Sequence, residues 1–464
     1  MESLGTTNTQ INSYIDVNHK TVTKEKIIDL CARRGFVYPS SNIYGTFPGL
    51  YDIGHLGFLL KENIKKAWKK RLLGLDRNIL FFESAILGPP ILYDAVNCLE
   101  IFDTNVINCL VCNTTYHEFE IDTKKPGGCC NKLVWSAPRA FNKIFTSNIG
   151  VSIKLTPDLY IRPDTTQSIY VQLKNLVEHN QKQIPLGITH IDKVFRNEVR
   201  PHNFLFQLRE FELWKLSWFC KPASADKELE FWVDQCEGFI KTLGINKDLI
   251  RTRINSKQEL AYFSKGCKDV DNYFKGCVDI EYKYMWDWKD IALIAYFGSE
   301  EIQEHELFSG KKLSTFDQKT KSFFYPHHIE PSMCFERLLF TILYDAYHEI
   351  NTQDGFRVIL KLHPAIAPIK AAFLPQNKEM SESMRALYND VKKKNIAVEF
   401  DDQGSIQERC YRQDEIGTPV SFINDLEFKT NSCILVRCRD TNKQELISSD
   451  NVLRYIEEEI LNQQ

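Results

Sequence analysis

The stretch KVFRNEVRPHNFLFQLREFELWKLSWF, Lys193 to Phe219, decides the reading of this chain. It reads as two strands joined by a polar turn, with Arg196 and Glu198 at the mouth of the first and Arg209, Glu210 and Phe211 entering the second. Such a hairpin can grip a nucleotide: arginine pairs with phosphate, glutamate accepts from an amine, and phenylalanine stacks on a base. An ordinary salt-bridged hairpin uses the same residue types, and residue types alone leave both readings open. Lys215 stands out, because the second strand is otherwise aromatic and apolar around it.

The surroundings of the hairpin set its context. A chain of 464 residues is long for one core, so two or three domains are expected. With 43% hydrophobic and 26% charged residues and no apolar run of membrane-spanning length, the composition is that of a soluble globular protein. The N-terminus MESLGTTNTQINSYIDVNHK carries no targeting pattern, which makes the cytoplasm the default location, with mitochondria the alternative. The 14 cysteines then point to free thiols or a metal site rather than a disulfide framework. A net charge of -3 gives no overall nucleic-acid footprint, though a local basic face remains compatible with it.

Residues 1–22 read as a flexible segment. EKIIDLCARRGF forms a helical stripe closed by Gly35, and a basic amphipathic helix starts near Leu56 after a Gly/Pro-rich loop. ILFFESAIL, LYIRPDT, GITHIDKVFRNE and FLFQLREFELWKLSWF read as strands without regular strand–helix alternation. The expectation is a mostly antiparallel sheet flanked by helices, over residues 23–352. Beyond 352 the character changes: FRVILKLHP, IAVEFDD and CILVRCRD are strands, SMRALYNDVKKKN and SIQERCYRQDEIG helices. That alternation describes a small α/β domain over 353–464, consistent with parallel βαβ units. The class is therefore α+β.

A second arginine site strengthens the nucleotide reading. In HHIEPSMCFERLLFTILYDAY, Glu330 and Ser332 precede a helix carrying Arg337, and an arginine on an otherwise apolar helix needs an anionic partner. At this point the sequence resembles a known family. FRNEVRPHNFLFQLREFE is similar to the second signature motif of class II aminoacyl-tRNA synthetases, and EPSMCFERLLF to the third. RGFVYPSSNIYGTFPGLYDIGHLGFLLKENIKKAW, YIRPDTTQSIY, LKLHPAIAPIKAAFLP and ERCYRQDEIGTP narrow the resemblance to the shorter, bacterial type of glycyl-tRNA synthetase.

The resemblance implies an antiparallel class II catalytic domain, an anticodon-binding α/β domain, a homodimer, and ATP-dependent adenylate formation with transfer to tRNA. It implies ATP contacts at Arg196, Glu198, Arg209, Phe211, Asp290 and Arg337, with Mg²⁺ neutralising phosphate charge. It implies an amino-acid pocket of Asp164, Thr166, Gln167, Glu212, Lys215, Glu330 and Ser332. Arg409, Arg412, Gln413, Asp414 and Glu415 would face tRNA, although a charged helix terminus reads the same way.

The departures cluster on one ligand. Asp164 stands where the family has Glu, Ser168 where it has Gly, Lys215 where a glycine-binding Glu belongs, and Phe297 where an Arg is expected. Gln207 and Cys334 also differ, as does DAVNCLE. Glu to Lys inverts the charge of a site built for an ammonium, so free glycine should bind poorly. On this alignment Lys215 faces the same cavity as Asp164 and Glu330.

An insertion at about 98–135 carries Cys109, Cys112, Cys129 and Cys130, a pattern that can make a tetrahedral zinc site. Adjacent Cys129 and Cys130 are poor co-ligands for one ion, so a metal-free insertion is expected and zinc is the alternative. Three functional readings follow: a divergent glycyl-tRNA synthetase, a related ligase for another acid, and a non-catalytic accessory or nucleic-acid-binding subunit. The third rests on a distant likeness of LKLHPAIAPIK and VRCRDTNKQEL to the mitochondrial DNA polymerase gamma accessory subunit.

Overall fold

The computed structural model describes residues 16–17, 22–96, 102–118, 121, 134–150, 157–201, 203–256, 258–259, 274–352, 355–424 and 431–462. Near the N-terminus, α1 (Lys24–Arg34) opens on the Thr23 hydroxyl, which accepts from the Lys26 amide, and stops at Gly35, whose φ of 75° only glycine takes up readily. It buries Ile27, Leu30 and Cys31. The longer α2 (His55–Leu73) buries Leu56, Leu60, Ile64, Trp68 and Leu72, a four-residue spacing that forms one apolar stripe while its lysines stay on the other side.

The chain divides into two compact units. One holds Val37–Ile53 and Lys65–Thr341; the other holds the segment ending at Phe36, Gly54–Ile64, and everything from Ile342 onward. The larger unit is built on a seven-stranded sheet. Its strands are β1 (Ile79–Phe81), β2 (Leu186–Phe195), β3 (Glu210–Cys220), β4 (Ile250–Ile254), β5 (Phe274–Lys283), β6 (Trp288–Phe297) and β7 (His327–Cys334). Their spatial order is β4-β5-β6-β7-β3-β2-β1. Every neighbouring pair is antiparallel except β1 with β2.

The helices of this unit sort the two faces of β3. On one side α4 (Ala225–Thr242) covers β6 and β7, and its Trp232 packs against Trp218 of β3. On the other lie α3 (Thr166–His179) and α5 (Glu300–Ser309), which share a core with Ile188 and Phe219. Covered on both faces, β3 is buried from Glu212 to Cys220, and this is why its sequence is nearly continuous in apolar residues. LYIRPDT contributes a short strand, Leu159–Ile161, outside this sheet.

In the smaller unit α6 (Phe335–Ala346), which begins in the larger one, leads into a hairpin of β8 (Tyr347–Thr352) and β9 (Gly355–Leu360). A division at 352 falls at the tip of that hairpin. FRVILKLHP thus supplies a hairpin strand and not a member of the sheet that follows. That sheet contains β10 (Ala371–Pro375), β11 (Val398–Phe400), β12 (Val420–Asn424), β13 (Cys433–Cys438) and β14 (Gln444–Ser448), in the order β11-β10-β12-β13-β14. The crossovers through α7 (Ser381–Lys392) and α8 (Ile406–Ile416) make β10 parallel to β11 and β12. The last two strands run antiparallel, because residues 425–432 and 439–443 are too few for a parallel crossover. The parallel expectation therefore applies to three strands of the five.

Among the described residues no cysteine is in a disulfide and no helix is long and apolar enough to cross a membrane.

Candidate active site

The site is assembled by strand register. β3 runs between β2 and β7, with Lys215 opposite His190 on one side and Ser332 on the other. One strand further, Glu330 faces Ala295 and His328 faces Phe297. Side chains alternate along a strand, so Lys215 points to the opposite face from Trp214, the same face as Phe219 and the helices α3 and α5.

There the Lys215 ammonium meets Asp164 Oδ1 at 2.8 Å and Oδ2 at 3.0 Å, Thr166 Oγ1 at 2.8 Å and Glu330 Oε1 at 2.6 Å. Asp164 and Thr166 come from the turn that starts α3, where Asp164 accepts from the Thr166 amide at 2.9 Å. An ammonium has three hydrogens, and three groups receive them. The side chain is only 5% exposed. Burial by itself would lower its pKa, but Asp164 and Glu330 outweigh burial and hold it above the ordinary lysine value. Asp164 is likewise opposed by burial, yet Lys215 and Arg196, whose Nη2 lies 3.8 Å away, keep it well below the usual carboxylate range. Burial dominates at Glu330 and leaves its pKa above the ordinary value.

Behind this cage lies a second polar layer. Gln167 donates to Glu301 Oε1 at 2.7 Å and its own oxygen lies 2.9 Å from His305 Nε2. Burial pushes Glu301 up to about 7 and His305 down to about 4. Tyr170 bonds His328 Nδ1 at 2.8 Å. Phe297 stacks on the His328 ring at 5.5 Å, and His328 stacks in turn on Phe219 at 4.9 Å. Where the resemblance expects an arginine, the sheet therefore carries an aromatic stack. Ser332 donates to the Leu293 carbonyl at 3.3 Å.

Glu212 takes no part in the cage. Three residues before Lys215, it is on the other face, where it accepts from Trp214 Nε1 at 2.8 Å and pairs with Lys65 at 3.1 Å. Conversely, Glu301, His305, Tyr170 and His328 belong to the surroundings of the cage and were not foreseen. Glu301 sits in the first turn of α5, where an acid reads from sequence as a helix-start residue.

Of the three arginines expected at the nucleotide, Arg196 touches the cage. The Arg196 guanidinium lies over Phe211 at 5.3 Å and donates to the Pro163 carbonyl at 3.1 Å. Arg209 donates to the carbonyls of Pro48 and Glu198. Glu198 is buried, 3.6 Å from Lys143. Arg337, three residues beyond the Leu213–Cys334 pairing, is paired with Asp290 and donates to the Phe206 carbonyl at 3.3 Å. Its Nε has no hydrogen-bond partner among the described residues, and the side chain as a whole is 24% exposed.

In the smaller unit α8 carries all five residues expected at tRNA. Asp414 is fully buried and takes both Arg437 guanidinium nitrogens, at 2.8 and 2.9 Å, with Arg357 at 3.3 Å. Arg409 is buried against backbone carbonyls of Pro375, Asp401 and Ser405. Gln413 donates to Glu399, and Glu415 pairs with Arg33 and Arg34. Arg412, a third exposed, pairs with Asp401 at 2.7 Å. In the insertion, Cys109 is buried and Cys112 exposed, while Cys129 and Cys130 lie outside the described residues. Among the described residues no group of His, Cys, Asp and Glu is placed to hold a metal ion.

Residues 150–395 match the model of the tRNA synthetase class II core domain (G, H, P, S and T), and residues 365–459 that of the anticodon binding domain. The glycine–tRNA ligase of Caldanaerobacter subterraneus subsp. tengcongensis is 33% identical over 95% of this chain and 99% of its own. That of Acetivibrio thermocellus is 35% identical over 94% and 98%, and that of Geobacillus kaustophilus 33% identical over 95% and 99%. Similarity of this reach, over a catalytic core and an anticodon-type domain in the same order, makes the chain a member of the class II glycyl-tRNA synthetase family.

Proposed function

We propose that this protein is an aminoacyl-tRNA ligase that activates a carboxylic acid with ATP and transfers the acyl group to tRNA. In the first step a carboxylate oxygen of the acid bonds to the α-phosphorus, and the bond to the bridging oxygen breaks as pyrophosphate leaves with its electron pair. In the second a terminal ribose hydroxyl of the tRNA attacks the acyl carbon and AMP leaves. No protein nucleophile is needed: the work is positioning and charge neutralisation. Arg196 takes the α-phosphate, Phe211 offers a face to adenine, and Arg337 takes the terminal phosphate. Glu198 and Arg209 fix the connection between β2 and β3. Mg²⁺ supplies further neutralisation when bound with the nucleotide, with the half-exposed Asp290 the nearby carboxylate fit to approach it.

The observation that carries this reading is Arg337, a partly exposed guanidinium at the start of an apolar helix, held in place by Asp290 and the Phe206 carbonyl. The tRNA is taken to bind through the C-terminal domain, with Arg412 the most accessible of its candidate contacts, and the active form to be a homodimer. Its place is any compartment where tRNA is charged, the cytoplasm first. The test is ATP–pyrophosphate exchange with glycine and then with other acids, followed by acylation of tRNA. Loss of one such charge clamp costs on the order of 10²–10³ in rate, so Arg337→Ala should lose that much exchange while keeping its fold. A protein that binds ATP yet exchanges with no acid would instead fit the accessory-subunit reading.

A further inference from the structure

We infer that Lys215 is the resident occupant of this ligase's amine subsite, so that free glycine competes poorly there and a small carboxylic acid without an ammonium is activated in preference. The inference rests on the ligase reading above. Free glycine carries an ammonium with three donors, and a site that takes it from water must offer several acceptors. In this chain Asp164, Thr166 and Glu330 converge on a single point, at 2.6–3.0 Å. Lys215 Nζ is already there.

Lys215 is paired with both Asp164 and Glu330, and Arg196 lies 3.8 Å from Asp164. A substrate ammonium would have to share the Asp164 and Glu330 oxygens that already receive Lys215 Nζ, and two ammonium groups on the same acceptors repel each other. Glu301, the remaining acid nearby, is engaged with Gln167 and offers no second seat. Lys215 is held at both ends, its ammonium by the three acceptors of the cage. It sits in the interior of the sheet between β2 and β7, and its own carbonyl accepts from Thr189 Oγ1 at 2.8 Å. An acid with a neutral hydroxyl where glycine has its ammonium brings no second cation to these acceptors. Glycolate is the smallest such probe.

The experiment is ATP–pyrophosphate exchange on the full chain with glycine and with glycolate, in wild type, Lys215→Glu and Lys215→Met. Wild type is expected to favour glycolate over glycine at least tenfold in kcat/KM, and Lys215→Glu to move that ratio toward glycine at least tenfold. Lys215→Met keeps the length and removes the charge, so a melting curve on it covers the case in which three acids together prevent folding. An independent readout is acetic anhydride labelling followed by mass spectrometry. Lys215 should stay protected in wild type with ATP and saturating glycine, while exposed lysines react. Wild type that prefers glycine, exchange with neither acid, or Lys215 labelled when glycine is added would each overturn the assignment. Calorimetric ATP binding separates the layers: no nucleotide bound defeats the ligase reading itself, whereas nucleotide bound with glycine preferred defeats only the role of Lys215.

Discussion

Glu301 shows how much chemistry a single buried carboxyl can hold out of sight. Its folded pKa of about 7 lies above the ordinary 4.5, so between those values the folded state keeps a proton that the unfolded state releases. The resulting stabilisation is complete below pH 4.5 and disappears as pH rises through 7. A shift of this size corresponds to about 2–3 kcal/mol between pH 5 and pH 8. In urea titrations wild type should lose that much stability relative to Glu301→Gln over the interval; parallel curves would refute it. His305, depressed by its own burial, acts in the opposite sense at acid pH and is common to both proteins. Nothing in EEIQEHELFS announces any of this, because Glu301 is buried where its helix packs against α3, a helix distant in sequence whose Gln167 and Tyr170 bond it. Lys215 was legible for a different reason: a charge inside an apolar strand contradicts its neighbours, whatever the fold. That Asp164 and Glu330 would close on it, and that Glu212 would turn away, depends on register and alternation across three strands.

Elements were the most legible scale, since each is specified locally. Helix α8 shows the full set of local signs: Ser405 and Glu408 cap each other's backbone amides, and Gly417 ends the helix at φ 81°. A Cβ at Gly417 would also lie 2.6 Å from Leu362 Cδ1, whereas Gly310, at φ 65° after α5, faces open space. Both alanine variants incur the left-handed strain of about 1–2 kcal/mol. Gly417→Ala adds a clash with a buried leucine, so it should lower the thermal midpoint clearly more than Gly310→Ala. Equal shifts would mean that Leu362 yields freely. What local pattern did not convey was the partner of an element. FRVILKLHP is a strand by composition, but composition does not say that it pairs with β8 and not with β10.

At the scale of the molecule, the change of character near residue 352 was readable, and the membership of the smaller unit was not. Its N-terminal pieces are tied in by contacts that span hundreds of residues: Lys26 with Glu349 at 2.8 Å, Asn63 donating to the carbonyls of Ile366 and Ala367, and α1 against α8. Such pairings leave no periodicity behind. They imply that residues 342–464 alone lack part of their core, because Ile27, Leu30 and Cys31 of α1 are completely buried. A synthetic peptide of residues 22–36 should therefore raise the melting temperature of the 342–464 fragment in a concentration-dependent way. No shift at saturating peptide would show that the C-terminal unit is self-sufficient.

The same interleaving has a topological consequence for proteolysis. The backbone passes from one unit to the other at residues 36–37, 53–54, 64–65 and 341–342. A single nick at any one of these junctions leaves the remaining connections unbroken, so the two halves stay tethered. A cut at 341–342 parts the C-terminal piece covalently, but helix α1 of its unit remains on the N-terminal piece and holds the two together. Limited digestion should accordingly produce nicked chains that separate in denaturant and travel together without it.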